Sequence, residues 1–347
     1  MAKILVIRFS AIGDVAMTVP VIHSLAVQYP QHQIKVLSRP NMAALFAHLP
    51  SNVSFVGADL KSAYKGFAGL NKLFKELKAE NFDYIADFHD VIRTKYLRLR
   101  FLLQGKKVAH IDKGRKGKKA LTRPSNKIKV QQASSFQRYA RVLEELGLPV
   151  KMDFQSIYSN AKGDSSVFST ITGSKGSDKW IGIAPFATHA GKIYPQERME
   201  QVIQALDAIE GIRIFLFGGG KKEVDILTSW ANKYPSATCI AGKLKMDAEL
   251  ALMSHLDVMV SMDSGNMHLA SLVNTPVVSI WGATHPLAGF MGWNQSEKNA
   301  VQVNLPCRPC SVYGNKPCYR KDYACLLGIT PEMIVQHVLA VIDSNQC

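Results

Sequence analysis

The chain has 347 residues, 47% hydrophobic and 20% charged; this excludes a disordered or fibrous protein, and the length fits two domains rather than one. No run approaches the ~18 to 20 consecutive apolar residues of a membrane span, and the N-terminus enters a strand without the regions of a signal peptide, so a cytoplasmic protein is expected. The formal charge of +15 is concentrated, because residues 91–130 hold fourteen Lys or Arg against one acid, Asp112, which marks a site rather than a general surface bias.

Residues 3–9 form a mostly apolar run of strand length. The turn Ser10-Ala11-Ile12-Gly13-Asp14 follows, and 17–29 carry apolar residues at helical spacing, with Thr18 placed as N-cap and Pro20 tolerable in the first turn. The pattern predicts strands over 34–37 and 53–56 around a short helix at 41–47. It continues with a helix at 69–79, a strand at 82–88, a basic helix at 91–103 and a strand at 107–111. Residues 114–129 contain Gly, Lys, Arg and Pro without an apolar period and read as an exposed loop. A helix over 134–146 is ended by Gly147 and Pro149, and 160–179, rich in Gly, Ser, Asp and Lys, reads as an inter-domain linker.

The second half restarts the alternation. It predicts strands over 180–185, 212–217, 238–241 and 257–261, with helices over 195–209, 221–232 and 247–254. A last helix over 331–342 has Thr330 as cap and Pro331 at its first position. Short apolar strands alternating with helices are the mark of parallel sheets covered on both faces. The expectation is two doubly wound, Rossmann-like α/β domains facing each other across a crevice, over 1–165 and 178–330, with a C-terminal helix and tail at 331–347.

The most informative stretch is 260–270, Val-Ser-Met-Asp-Ser-Gly-Asn-Met-His-Leu-Ala, followed by a second apolar strand at 276–282. A buried strand that turns through polar residues into a helix leaves free N–H groups at the helix start, where a phosphate is favoured. Two motifs then converge on a family. Residues 7–14 (Ile-Arg-Phe-Ser-Ala-Ile-Gly-Asp) with the Met-Thr-x-Pro of 17–20, and Asp263-Ser264-Gly265 with His268-Leu269-Ala270, Pro276 and 281–286 (Trp-Gly-Ala-Thr-His-Pro), resemble those of the lipopolysaccharide heptosyltransferases of glycosyltransferase family 9. The likeness runs from end to end.

The resemblance implies the GT-B fold and an inverting, metal-independent transfer of heptose from ADP-heptose to an inner-core lipopolysaccharide acceptor. It implies that Asp14 is the general base, that Lys192 contacts the phosphates, and that Glu223 matches a ribose contact. The absence of Asp-x-Asp from the sequence agrees with metal independence. An inverting transfer needs a carboxylate beside the acceptor hydroxyl; composition alone also allows Asp14 merely to cap the first helix. Ser264, Gly265, Asn266 and Met267 supply the helix start; the residue types alone also allow Gly265 to be a plain turn glycine and Lys192 a solvated surface lysine. Asp263 is expected to accept hydrogen bonds from the N–H groups that follow it, as a support for the turn. His268 either packs or contacts the donor, and Thr284 sits with His285 on the same rim.

Arg93 and Arg98 on the basic helix, with Lys116, Lys118 and Lys119 in the following loop, are expected to bind the anionic glycolipid acceptor and the inner-membrane surface, where each basic residue is worth ~1 kcal/mol. A run of this kind is more commonly a solvated loop or a nucleic-acid surface; the shared domain with Asp14 favours the acceptor, with no nucleic acid. Cys307, Cys310, Cys318 and Cys325 admit a structural zinc, but only the first pair has metal-ligand spacing, so reduced or partly disulfide-linked thiols are preferred. Cys239 and Cys347 stand alone. A monomer with no cofactor beyond its donor substrate is expected. The alternatives are transfer of another nucleotide-activated sugar, and a non-catalytic basic nucleotide- or nucleic-acid-binding protein.

Overall fold

The computed structural model describes residues 1–344; Cys347 lies outside the described residues. The elements run β1 (Lys3–Ile7), α1 (Ile12–Ala16), α2 (Val19–Gln28), β2 (Gln33–Ser38), β3 (Val53–Gly57), α3 (Gly66–Ala79), β4 (Tyr84–Asp87), α4 (Ile92–Leu102), β5 (Lys107–His110), α5 (Arg115–Thr122) and α6 (Ser135–Glu145). There follow α7 (Ser169–Thr172), β6 (Lys179–Ala184), α8 (Gln196–Asp207), β7 (Ile212–Leu216), α9 (Lys221–Lys233), β8 (Ala237–Cys239), α10 (Met246–His255), β9 (Val258–Met262), α11 (Gly265–Leu272), β10 (Val277–Ile280), β11 (Ala300–Val301), α12 (Ala324–Leu327) and α13 (Pro331–Ser344). The segment expected as a helix at 41–47 is a 3₁₀ helix, Pro40–Phe46. The chain divides into one compact unit of Met1–Lys113 and Ala133–Ile157, and a second of Gly114–Gln132 and the chain from Tyr158 onward.

The first unit is built on a parallel sheet in the order β3-β2-β1-β4-β5. Four of the five residues of β1 are fully buried, because helices cover both faces of the sheet. Leu5, Ile7, Leu73, Phe74, Leu97 and Phe101 belong to one of its apolar clusters. The order reverses between β1 and β4, so the loops after these two strands open a crevice at the carboxyl edge.

The second unit repeats the design with a parallel sheet ordered β11-β10-β9-β6-β7-β8, whose reversal falls between β6 and β9. Every residue of β9 and of β10 is buried. Helix α13 is part of this core, with Ile334, Val338, Val341 and Ile342 packed into it. Thr330 caps it as expected, its Oγ1 accepting from the Met333 N–H at 3.3 Å.

Two segments differ from expectation. Residues 160–179 are not an open linker: Phe168 and Thr172 are buried, α7 forms, and the Gly163 N–H donates to Ser254 Oγ at 2.9 Å. Residues 114–129 are not an exposed loop: α5 forms and buries Lys118, Leu121 and Thr122. The segment belongs to the second unit, where the Gln132 N–H donates to Leu287 O at 2.9 Å and Lys127 Nζ to Pro309 O at 2.8 Å. The apolar signal was weak because a lysine stem takes the place of an aliphatic side chain on the inner face.

Arg308 ties the loop after β10 together. It is 2% exposed; its Nε donates to Gly282 O at 2.6 Å, and Nη2 lies 3.0 Å from the carbonyls of Trp281 and Thr284 and from Gln302 Oε1. Arg308→Met would leave several buried acceptors unsatisfied and should destabilise the second unit by about 3 kcal/mol, measurable by urea unfolding followed through Trp fluorescence.

Candidate active site

In the first unit, the loops after β1 and β4 carry the polar residues of the reversal point. Arg8 follows β1 directly and is 7% exposed. Its Nη1 donates to Phe88 O at 2.7 Å and its Nη2 lies 2.8 Å from Asp14 Oδ2; the Nε is buried without a partner among the described residues. Asp14 also accepts from the Ala11 N–H at 3.2 Å. The carboxylate therefore does fasten the start of α1, but an arginine holds it as well, and its side chain keeps 36% exposure. Tyr139 on α6 closes the arrangement from behind, its hydroxyl donating to Asp14 O at 3.3 Å.

His89 completes this edge. Its Nδ1 accepts from the Phe9 N–H at 3.3 Å, so Nε2 carries the hydrogen and the ring can donate from that side. Burial, followed by the charges of Arg8 and Lys113, pushes the imidazole pKa down to about 3, so the ring stays neutral at physiological pH. Below it, Asp87 is fully buried; Oδ1 accepts from the N–H groups of His89 and Asp90 at 2.9 Å, and Oδ2 pairs with Arg98 at 3.2 Å. Arg98 also approaches Asp90 Oδ1 at 3.5 Å. The expectation that Arg98 faces an acceptor gives way here, because a buried carboxylate needs a charged partner. Arg93 remains exposed on α4. Arg8 and His89 were not singled out from sequence; an arginine closing an apolar strand, and a histidine directly after the strand across the reversal, were the available signals.

In the second unit, the loops after β6 and β9 meet at the reversal point. Lys192 ends a 3₁₀ turn, Ala190–Lys192, after β6. Its Nζ lies 2.8 Å from Asp263 Oδ2, with side chains 15% and 3% exposed. The expectation that Asp263 accepts from the N–H groups after it is thereby corrected: the carboxylate is directed at a lysine from another loop and holds that ammonium in place. Lys192 is not a solvated surface residue. Ser264 stands at the N-cap of α11 but its side chain makes no cap bond, and its Oγ lies 3.3 Å from Ser261 Oγ. Gly265 opens the helix without a side-chain cap, which is the arrangement an anion needs.

The other residues expected to bind the donor are placed unequally. Glu223, in the first turn of α9, folds back so that Oε2 accepts from the Gly219 N–H at 2.8 Å. His268 is buried within α11. Thr284 is fully buried and is not on an open rim; its carbonyl is held by Arg308. Lys118 is 6% exposed with Nζ 4.1 Å from the centre of the Phe290 ring, a cation–π contact rather than a free charge, whereas Lys116 and Lys119 are exposed.

The late cysteine segment supports these loops. The Gly191 N–H donates to Gly314 O at 3.3 Å, the Ala283 N–H to Gly191 O at 2.8 Å, and the Cys310 N–H to Ala283 O at 3.1 Å. A Cβ on Gly314, whose φ is +73°, would meet Lys192 Cγ at 2.6 Å, so the lysine stem lies against bare backbone. Cys307, Cys310, Cys318 and Cys325 are free thiols, and burial pushes Cys325 up to about 11. Among the described residues no group of three or more His, Cys, Asp or Glu is arranged to hold a metal ion.

Two parallel α/β units, each with polar loops at its reversal point, have the architecture of the GT-B fold. Residues 70–319 match glycosyltransferase family 9 (heptosyltransferase), and the chain belongs to that family. It is 25% identical over 298 residues to lipopolysaccharide heptosyltransferase 3 of Escherichia coli, covering 84% of this chain and 85% of that one. In structure it is similar to a family 9 glycosyl transferase of Veillonella parvula, with TM-score 0.75, 18% identity and coverage of 99% and 98% of the two chains. It is also similar to the E. coli ADP-heptose lipopolysaccharide heptosyltransferase II, with TM-score 0.70, 18% identity and coverage of 99% and 100%.

His285, next to Thr284, accepts the Leu287 N–H on Nδ1 at 3.1 Å, and burial, then Arg308 and Lys129, pushes it down to about 4. Lowered below its ordinary value of about 6.5, it contributes stability that is complete above that pH and is lost as pH falls through about 4. His285→Asn keeps an acceptor for Leu287 and should flatten the fall of the urea midpoint between these pH values, read by Trp fluorescence.

Proposed function

We propose that this enzyme transfers heptose from ADP-heptose to the inner core of a lipopolysaccharide acceptor, with inversion and without a metal ion. The observation that carries the reading is the Lys192–Asp263 pair, 2.8 Å apart at the reversal point of the second sheet beside the uncapped start of α11. A buried ammonium and oriented N–H groups are what a departing diphosphate requires. Membership of a heptosyltransferase family, and similarity to a relative whose name specifies ADP-heptose, support the donor; relatives named for lipopolysaccharide support the acceptor.

The step is a single displacement. Asp14, held by Arg8, takes the proton of the acceptor hydroxyl as its oxygen attacks the anomeric carbon. The bond from that carbon to the diphosphate oxygen breaks, and ADP leaves with the electron pair into the field of Lys192 and α11. His89, neutral and with Nε2–H available, serves as a donor to an acceptor oxygen, and Glu223 turns to the ribose. Arg93, Lys116 and Lys119 attract the anionic glycolipid. The enzyme works as a monomer in peripheral contact with the cytoplasmic membrane surface; among the described residues no helix is long and apolar enough to cross a membrane. The segment that carries the late cysteines has a structural role, its backbone at Gly314 and Cys310 bracing the loops that hold Lys192.

Thermal-shift measurements against ADP, UDP, GDP and their sugars in EDTA test the donor. ADP and ADP-heptose should raise the melting temperature, and at 100 times Kd should stabilise by about 2.7 kcal/mol. Stabilisation by UDP-sugars alone would remove ADP-heptose, and a strict need for a divalent cation would remove metal independence.

A further inference from the structure

Helix α4 buries one side and leaves a second apolar stripe uncovered. Leu97 and Phe101, with Thr94, face the core of the first unit. At 100° per residue, Ile92, Leu99 and Leu103 come up on the opposite side, and Leu102 adjoins them. These four and Phe67 at the start of α3 are between 54% and 76% exposed. Phe67 is joined to the same surface through Tyr96, the rings meeting edge to face at 5.9 Å.

Helix α4 itself supplies only positive charge to this surface, while the exposed acids beside α3 are engaged locally, Asp59 by the N–H groups of Lys61 and Ser62 and Glu76 by the Tyr64 hydroxyl. Helix α4 contains no acid, Arg93 and Lys95 are exposed on it, and Lys61 and Lys65 are exposed just before α3. Asp87 and Asp90, at the end of β4 and just before α4, are paired with Arg98, and Lys95 lies 3.6 Å from Asp90. Arg100 is turned inward, its Nη1 donating to Asn71 Oδ1 at 2.8 Å and its guanidinium 4.3 Å from the Phe74 ring centre.

We infer that the outer face of α4, with Phe67, docks the enzyme on an anionic lipid surface by inserting Ile92, Leu99, Leu102 and Leu103 below the headgroups while Arg93 and Lys95 pair with them. A lipid surface presents negative charge above hydrocarbon, and cations interleaved with long apolar side chains match both depths. Exposed apolar side chains gathered on one helix face, rather than scattered singly, mark an interaction surface. The inference rests on the proposed membrane-anchored acceptor and identifies apolar side chains, rather than basic residues alone, as the element that engages the membrane.

The test uses the full chain, its Leu99→Gln/Leu103→Gln variant, and vesicles of phosphatidylethanolamine with phosphatidylglycerol. Both substituted side chains are exposed, so the variant should keep the wild-type circular dichroism and its transfer rate to a delipidated, water-soluble acceptor. Vesicle affinity should fall about tenfold or more, and the deficit should persist at high salt, where charge attraction is screened. Equal vesicle binding by the two proteins overturns the inference. So does a wild-type dimer in sedimentation velocity that the variant converts to monomer, since the face would then join two copies. Failure to transfer heptose to any acceptor, with vesicle binding still dependent on Leu99 and Leu103, would overturn the proposed function and leave the docking face standing.

Discussion

The second unit depends on one ion pair, between Lys192 and Asp263. Asp263 is almost inaccessible to water and Lys192 keeps 15% exposure; the carboxylate could not be buried alone without a cost of several kcal/mol. Each is delivered by the strand on its own side of the sheet reversal, Lys192 by β6 and Asp263 by β9. Parallel pairing of these two strands therefore determines whether the charges meet, and the surrounding packing serves that registry. Arg308 ties down the adjoining loop through its carbonyls, and the cysteine-bearing segment closes against the backbone of Gly191 and Ala283.

The first unit solves a related problem with different residues. Its reversal lies between β1 and β4, and there the partly exposed carboxylate of Asp14 is oriented by buried Arg8. A neutral imidazole follows β4 at the same edge. The deeper pair of Asp87 and Arg98 supports that edge from within. The two units thus use the same sheet topology for distinct chemistry: one orients a carboxylate in partial contact with water, and the other buries a cation beside a helix start.

The strands were legible in the sequence because a sheet covered on both faces requires continuous apolar runs, and β9 and β10 are such runs. Asp14 at the first reversal point and Asp263 to His268 at the second were legible as motifs, whereas His89, which belongs to neither motif, was not. What failed was inference from sequence proximity. Asp263 looked like a support for its own turn because its nearest neighbours in the chain are the N–H groups of α11, whereas its partner comes from the loop after a different strand. Arg98 and Lys118 looked like free cations, yet one neutralises buried Asp87 and the other covers Phe290. Helix α5 was read as a loop because a pattern built on aliphatic residues overlooks a lysine stem on the inner face.

The central claim is that proton removal and diphosphate holding are carried by separate residues, Asp14 and Lys192. Calorimetric ADP affinity and transfer rate, measured together on Asp14→Asn and Lys192→Ala, test it most directly. The account predicts that Asp14→Asn binds ADP as the wild type does and loses transfer by roughly a hundredfold or more, whereas Lys192→Ala binds ADP about tenfold more weakly, the loss of a charge-assisted contact. Near-normal transfer by Asp14→Asn, or an unchanged ADP affinity in Lys192→Ala, would contradict it.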